Sequence, residues 1–308
     1  MFLQSNKSHS ASFELLIQFL HFIRLHQLVY QLTLVTIILF FSPSASLFQL
    51  LSTSTMIVLI TPTFLLMQDI LGKKDDEKAY QKRILFSDRV NKMFFGSTLT
   101  IMIIILALNS LLSLVCYMML FASTIGYAVM KHVHRMYLSY WFRYLSSVFT
   151  FSLYLFMLVD SLTKEFLILL IVISVLDLVG NIAGDIRDSA KDTTAGIKTF
   201  VTEIGREQTL QIMCFILLCI FGLLTLESKS PILIILLVGN VFPFLLIEHL
   251  SIHLAHGIFH LLKLLNYLCI AFILSNIPIF VFILILFFIV CFWFISYYFY
   301  LYRPLSSN

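Results

Sequence analysis

Charged residues are scarce in this chain. Lysine, arginine, aspartate and glutamate make up 12% of its 308 residues, hydrophobic residues make up 60%, and the mean hydropathy is +0.99. A soluble domain of this length could not cover so much apolar surface with polar atoms. The composition therefore excludes an ordinary soluble enzyme and predicts a chain that uses lipid as its solvent, with no nucleic acid as a partner.

Alternation of polar and apolar residues is also missing, because the apolar runs are continuous. Lipid offers no hydrogen-bond partners, so a spanning chain forms either helices or a closed barrel, and barrel strands alternate. Continuous runs favour helices. We predict an all-α bundle within a single transmembrane domain covering 1–308. Its ten apolar segments are 18–41, 47–71, 92–109, 111–130, 138–160, 164–183, 207–226, 231–248, 257–275 and 277–301.

Cysteine is present five times, but without the spacing of a metal site. All five lie inside apolar runs, which is typical of small buried hydrophobic residues. They are Cys116, Cys214, Cys219, Cys269 and Cys291.

Basic residues are concentrated after the second, fourth and sixth segments. The intervening connections contain only Lys164 and Lys229. By the positive-inside rule, the basic loops and both chain ends are expected in the cytoplasm. No targeting segment is recognisable, so we expect a multi-pass protein of a bacterial or archaeal inner membrane.

Three aspartates follow the sixth segment, in the stretch GDIRDSAKDTTAGIKT that begins at Gly184. Asp185, Asp188 and Asp192 lie at i, i+3 and i+7, so they share one face of a helix. Like charges on one face repel each other unless a metal ion or basic side chains neutralise them. Gly180 and Gly184 form a small-xxx-small pair, which predicts close approach of another helix.

A second acidic face follows the second segment, in LLMQDILGKKDDEKAYQKRILFS. Asp69 and Asp76 are seven residues apart, and Arg83 follows Asp76 by seven. Carboxylate oxygens suit Mg²⁺, which usually combines one or two carboxylates with substrate phosphates. Basic side chains suit the remaining phosphate oxygens. A diphosphate with a long apolar tail fits both site and membrane, although each loop alone is also compatible with ordinary solvated charges.

The two acidic stretches resemble motifs of the UbiA superfamily of intramembrane prenyltransferases. Its second motif commonly reads NDIRDxxxDxxxGIRT, and this chain differs chiefly in having Gly184 for Asn and Lys198 for Arg. Its first motif reads NDxxDxxxD followed by Arg-Pro-Leu. Here QDILGKKDD has Gln68 for Asn and Gly72 for the middle Asp, and Arg83 precedes Ile84 instead of Pro.

The resemblance covers about residues 18–275, with 277–301 as an additional C-terminal span. It includes the segment Tyr127 to Lys131, which is similar to a Tyr-x-x-x-Lys element of the family. It implies nine family-like helices around a central cavity that opens to the cytoplasm. Mg²⁺ would there assist ionisation of a prenyl diphosphate, and an acceptor would capture the allylic cation.

The resemblance also implies roles for individual residues, with Asp69, Asp76, Asp188 and Asp192 as the catalytic set. The expected metal ligands are Asp69, Asp76, Asp185, Asp188 and Asp192. The expected diphosphate-binding residues are Arg83, Lys131 and Lys198. Asp75 is a candidate substitute for the ligand missing at Gly72.

Four histidines, His249, His253, His256 and His260, are spaced by four, three and four residues around the start of the ninth segment. One interpretation is a metal or haem ligand set. Another is the polar face of an amphipathic helix at the cytoplasmic interface, which the apolar opposite face favours. A third is contact with an acceptor through His253, His256 and His260.

Three functions remain open at this point. The first is prenyl transfer to an unidentified lipophilic or aromatic acceptor. The second is terpene cyclisation by the same ionisation, without an acceptor. The third is a non-catalytic lipid-binding protein or a transporter. Asp177 is the one ionisable residue near mid-membrane that we identify, which argues against a transporter.

The departure at Gly72 generates a prediction about metal affinity. Replacing Gly72 with Asp restores the expected third carboxylate of the first motif, so Gly72→Asp is expected to raise the affinity of the purified protein for Mg²⁺. Isothermal titration of Mg²⁺ measures this change. Loss of affinity in the variant would show that the first motif is aligned incorrectly.

Overall fold

The chain folds as a bundle of helices. The computed structural model describes residues 25–41, 45–78, 88–133, 135–159, 163–228, 235–236, 238–240, 252–275 and 277–301. The helices with defined bounds are α1 (Leu25–Phe41), α2 (Leu47–Lys78), α3 (Asp88–Asn109), α4 (Leu111–His132), α5 (Met136–Leu158), α6 (Lys164–Ala195), α7 (Phe200–Ile204), α8 (Arg206–Ser228), α9 (Ile252–Leu274) and α10 (Ile279–Leu301). Every regular element in these ranges is helical, which confirms the all-α prediction.

Six of these helices are long and apolar enough to cross a membrane, so the prediction of an integral membrane protein is confirmed. The six spans are Leu47–Phe64, Lys92–Asn109, Leu111–Lys131, Lys164–Ala190, Arg206–Leu226 and His256–Leu274. Helices α1 and α10 contain shorter apolar stretches. Helix α5 is not among the six because serines, tyrosines and Arg143 lower its hydropathy. The count of ten spans stays a prediction.

Helix α6 lies at the centre of the bundle, packed against α5, α8 and α9. Its apolar side chains Leu169, Ile173 and Leu176 are completely buried. On α10, by contrast, Phe280, Phe287 and Phe288 are more than half exposed. An apolar surface of that kind suits contact with lipid rather than water.

Helix α6 extends further than the apolar run that begins it. It starts after Thr163, whose side-chain hydroxyl accepts from the backbone N–H of Phe166. It ends at Gly196, whose φ of 70° is left-handed and therefore favours glycine. The helix thus continues through the three aspartates to Ala195, in agreement with the helical face predicted for positions 185, 188 and 192. Helix α2 likewise continues to Lys78, so QDILGKKDD is helical throughout.

The glycines of α6 allow α9 to lie close to it, as the small-xxx-small spacing predicted. A Cβ atom at Gly180 would lie 3.3 Å from Lys263 Nζ and 3.5 Å from a ring carbon of Phe259. At Gly184 the nearest atom would be His256 Nε2, at 3.7 Å. Side chains of α9 therefore cover the α6 backbone at both glycines.

This close contact predicts that Gly180→Val destabilises the bundle, because the added methyl groups must displace Lys263 and Phe259. Overpacking of this kind costs about 1–3 kcal/mol. Thermal unfolding in detergent measures the effect. Gly222→Val on α8 is the matched control, since a Cβ there meets no atom within 4 Å. Equal losses in the two variants would contradict the assignment.

Candidate active site

Two aspartates of α6 converge on one lysine of α4. Lys131 Nζ lies 3.7 Å from an oxygen of Asp185 and 3.7 Å from an oxygen of Asp192. The Asp192 side chain is only 4% exposed, so its charge depends on neighbouring cations for neutralisation. The structure thus brings Lys131, expected at the diphosphate, to two of the expected metal ligands.

Tyr140 of α5 fixes the orientation of Asp185. Its hydroxyl donates to an Asp185 oxygen at 2.5 Å and accepts from the backbone N–H of Phe200 at 3.2 Å. The Tyr140 and Phe200 rings stack with centroids 4.4 Å apart. Hydrogen bonds to carboxylates are among the stronger ones in proteins, so Tyr140 links α5, α6 and α7 at the carboxylate.

Asp188 is held separately from the other two aspartates. Arg187 Nε and Nη2 donate to its two oxygens at 2.8 Å and 2.6 Å, and Arg187 Nη1 lies 3.5 Å from His256 Nδ1 of α9. At 3.6 residues per turn, Asp192 is rotated about 20° from Asp185, whereas Asp188 is rotated about 60°. The structure therefore brings Asp185 and Asp192 together at Lys131, while Arg187 connects Asp188 to His256 of α9. A shared metal site stays a prediction.

The partner motif is only partly described. Asp69 and Asp76 lie on the last turns of α2, where the structure describes the backbone but not these side chains. Arg83 lies outside the described residues. Lys198 is half-exposed and pairs with Glu203 at 3.3 Å, so it does not join Asp185 and Asp192.

Two histidines of the stripe, His256 and His260, are half-buried. Their Nε2 atoms are 3.1 Å apart, and His260 lines a cavity of the bundle. Gly180 and Gly184 let α9 pack directly onto α6, while the interfacial-helix interpretation stays a prediction. His249 lies outside the described residues, as does the side chain of His253.

The carboxylates of α6 are chemically suited to a divalent cation. The oxygens of Asp185 and Asp192 already surround one cationic nitrogen, and oxygen-only ligands are those that Mg²⁺ prefers. Among the side chains that the structure describes, no group of three or more histidines, cysteines or acidic residues is close enough to form a complete site. A metal at α6 would therefore need ligands from elsewhere, such as a substrate or α2.

A second polar cluster lies deeper in the bundle, and sequence reasoning missed most of it. Lys263 of α9 donates to Asp177 of α6 at 2.8 Å, and Ser147 of α5 donates to the other Asp177 oxygen. Arg143 donates to Asn181 Oδ1 at 2.7 Å. The spacing of 140, 143 and 147 on α5, and of 177, 181 and 185 on α6, is the helical signal that reveals this cluster.

The contacts of Tyr140 predict that its hydroxyl contributes to stability. Tyr140→Phe leaves the buried Asp185 carboxylate with one donor fewer, and losing a hydrogen bond to a charged group costs about 1.5–3 kcal/mol. Thermal unfolding in detergent should show a lower midpoint. Tyr137→Phe is the control, because Tyr137 lies on the same helix with 73% of its surface exposed. An unchanged midpoint for Tyr140→Phe would contradict the assigned bond.

Comparisons with known proteins find similarity in structure alone. No protein-family model matches the chain, and no curated protein matches its sequence. Structures of a UbiA homolog from Archaeoglobus fulgidus do match. The one bound to GPP and Mg²⁺ has a TM-score of 0.54 and 14% identity, with 82% of this chain and 98% of that chain covered. The one bound to DMAPP and Mg²⁺ has a TM-score of 0.51 and 14% identity, with 81% and 98% covered. The chain therefore has the fold of these homologs.

Proposed function

We propose that this protein is a UbiA-type intramembrane prenyltransferase, which moves a prenyl group from a prenyl diphosphate to a lipophilic or aromatic acceptor. The observation that carries the proposal is the convergence of Asp185 and Asp192 on Lys131. It lies in a fold shared with a homolog whose structures contain GPP or DMAPP together with Mg²⁺. Short similarity in the aspartate motifs points to the same family.

Residues of α6 and α4 have different roles in binding the diphosphate. Asp185 and Asp192 would hold Mg²⁺, with Asp69 and Asp76 of α2 as the expected opposite ligands. Bound Mg²⁺ neutralises the charge that develops on the departing diphosphate. Lys131 offsets one of the two carboxylate charges before substrate arrives, and its ammonium group can then donate to a diphosphate oxygen. Tyr140 holds Asp185 in place while Lys131 changes its partner from the carboxylates to the diphosphate.

Arg187 forms a salt bridge with the third aspartate, Asp188. Its two donors occupy both oxygens of Asp188 and prevent the carboxylate from being left uncompensated. Each carboxylate oxygen retains a second lone pair, so Asp188, whose side chain is 40% exposed, could bind a metal ion while Arg187 stays bonded to it.

The cavity beneath α6 has a mixed lining. Asp177, Lys263 and Arg143 contribute charged groups, while Phe64, Leu120, Leu264 and Trp293 contribute apolar ones. The products of the reaction therefore distinguish transfer from cyclisation. We propose further that the aspartate face is at the cytoplasmic side, as the basic loops favour.

Release of diphosphate tests the proposal. Purified protein in detergent, given Mg²⁺, radiolabelled prenyl diphosphates of several chain lengths and a membrane lipid extract as the source of acceptor, is expected to release diphosphate with at least one chain length. Asp192→Ala is expected to slow release on the order of 100-fold, because charge stabilisation at the leaving group is lost. Glu207→Ala on the exposed first turn of α8 is the control and should retain the rate.

The outcomes separate the candidate functions. Cyclic hydrocarbons or alcohols formed without any acceptor would identify a cyclase. No release with any chain length, together with no effect of Asp192→Ala, would contradict both enzymatic functions and leave lipid binding or transport.

A further inference from the structure

The C-terminal helix α10, expected as an addition to the nine family-like spans, contributes to the cavity beneath the aspartate face. It packs against α1 and α9. Its buried side chains Phe282, Ile289 and Trp293 are spaced by seven and four residues, so they form a narrow stripe on one side of the helix. Phe282 packs on Phe272 of α9, with ring centroids 4.5 Å apart, and Trp293 lines the cavity.

Trp293 lies close to the depth of the aspartate face. His260 is 14 residues before Leu274, where α9 ends. Trp293 is 14 residues after Ile279, where α10 begins. At 1.5 Å per residue, both side chains are about 21 Å from the turn that joins the two helices. Both line the cavity, whose wall on α6 begins one helical turn, or about 6 Å, before Asp185.

The cavity is small compared with a polyprenyl chain. Its volume is about 170 Å³, and a cavity of about 150 Å³ accommodates one benzene-sized molecule. The apolar part of its lining includes Phe64, Leu120, Leu264 and Trp293. Hydrocarbon is expected along this part, because it offers no hydrogen bonds to the charged groups elsewhere on the walls. A tail that exceeds the volume of the cavity must displace one of the apolar side chains.

The wall at Trp293 is one helix thick. On the other side of α10, Phe287, Phe288 and Phe294 are more than half exposed, as suits contact with lipid. The walls at Phe64 and Leu120 differ, because they belong to α2 and α4, against which α3 packs. A chain that passes Trp293 therefore reaches lipid, whereas a chain that displaces Phe64 or Leu120 meets another layer of the bundle.

We propose that Trp293 limits the length of the prenyl chain that the protein accepts. A tail that ends before the indole ring is enclosed by the cavity, and a longer tail has to displace the ring. Displacement is costly because a tryptophan ring buries a large contact area. This inference rests on the proposed function, which supplies the prenyl diphosphate as the ligand.

The dependence of binding on chain length tests the inference. Full-length protein in detergent with Mg²⁺ is titrated calorimetrically with dimethylallyl, geranyl, farnesyl and geranylgeranyl diphosphate, which contain one to four isoprene units. Affinity is expected to fall at least tenfold between one length and the next. Trp293→Leu is expected to move this limit to a longer chain. Phe294→Leu is the matched control and should leave the limit unchanged, because Phe294 is the neighbouring exposed residue.

Trp293 itself reports the contact, which keeps the inference testable if Trp293→Leu folds poorly. The chain contains two tryptophans, and the other, Trp141, is more than half exposed. In Trp141→Phe all tryptophan fluorescence comes from Trp293. The longest accepted chain is expected to change this emission, whereas inorganic diphosphate with Mg²⁺ is expected to leave it unchanged.

Three results would overturn the inference. They are equal affinity for all four chain lengths, the same length limit in Trp293→Leu and Phe294→Leu, and unchanged emission from Trp293 when the longest accepted chain is bound. In each of these cases prenyl diphosphate still binds, so the proposed function stands. Absence of binding at every chain length would contradict the proposed function as well, so the two failures are distinguishable.

Discussion

The carboxylates of Asp177, Asp185 and Asp192 on α6 are compensated by side chains of other helices, because lipid and apolar side chains offer nothing in exchange for water. Lys131 comes from α4, Tyr140 and Ser147 from α5, and Lys263 from α9. These contacts determine which helices pack against α6 and how close to it they lie. The packing order of the bundle and the chemistry of its site therefore have the same origin, since a helix in the wrong place would leave a buried carboxylate uncompensated.

The sequence predicts the helical class and the aspartate face because both depend on local periodicity. Continuous apolar runs require helices in lipid, and positions 185, 188 and 192 share a face in any α-helix. The close approach at Gly180 was predictable for the same reason. What lies beyond local periodicity is the direction in which each side chain finds its partner. Asp188 turns to the adjacent Arg187, while Asp185 and Asp192 reach across to α4.

The spacing of the histidines does not by itself predict what surrounds them. Their spacing is compatible with an amphipathic surface helix and equally with a buried polar face, and only the partner helix distinguishes the two. That partner is the glycine-bearing side of α6, whose two glycines leave room for His256 and Lys263. The contact between Arg143 and Asn181 could not be predicted from the sequence for a related reason. Each is a single polar residue within its own apolar run, and their meeting depends on tertiary packing.

The turn after α6 connects the site to the surface of the bundle. Gly196 reverses the chain four residues after Asp192, and this reversal brings the backbone of Phe200 to the hydroxyl that holds Asp185. Tyr140 thus bonds at once to a carboxylate of the site and to the short helix outside it. Any ligand that changes the position of Asp185 must change the free energy of docking α7, and by linkage the docking of α7 changes ligand affinity by the same factor. The docking of segment 197–204 therefore affects how tightly the site binds its ligand.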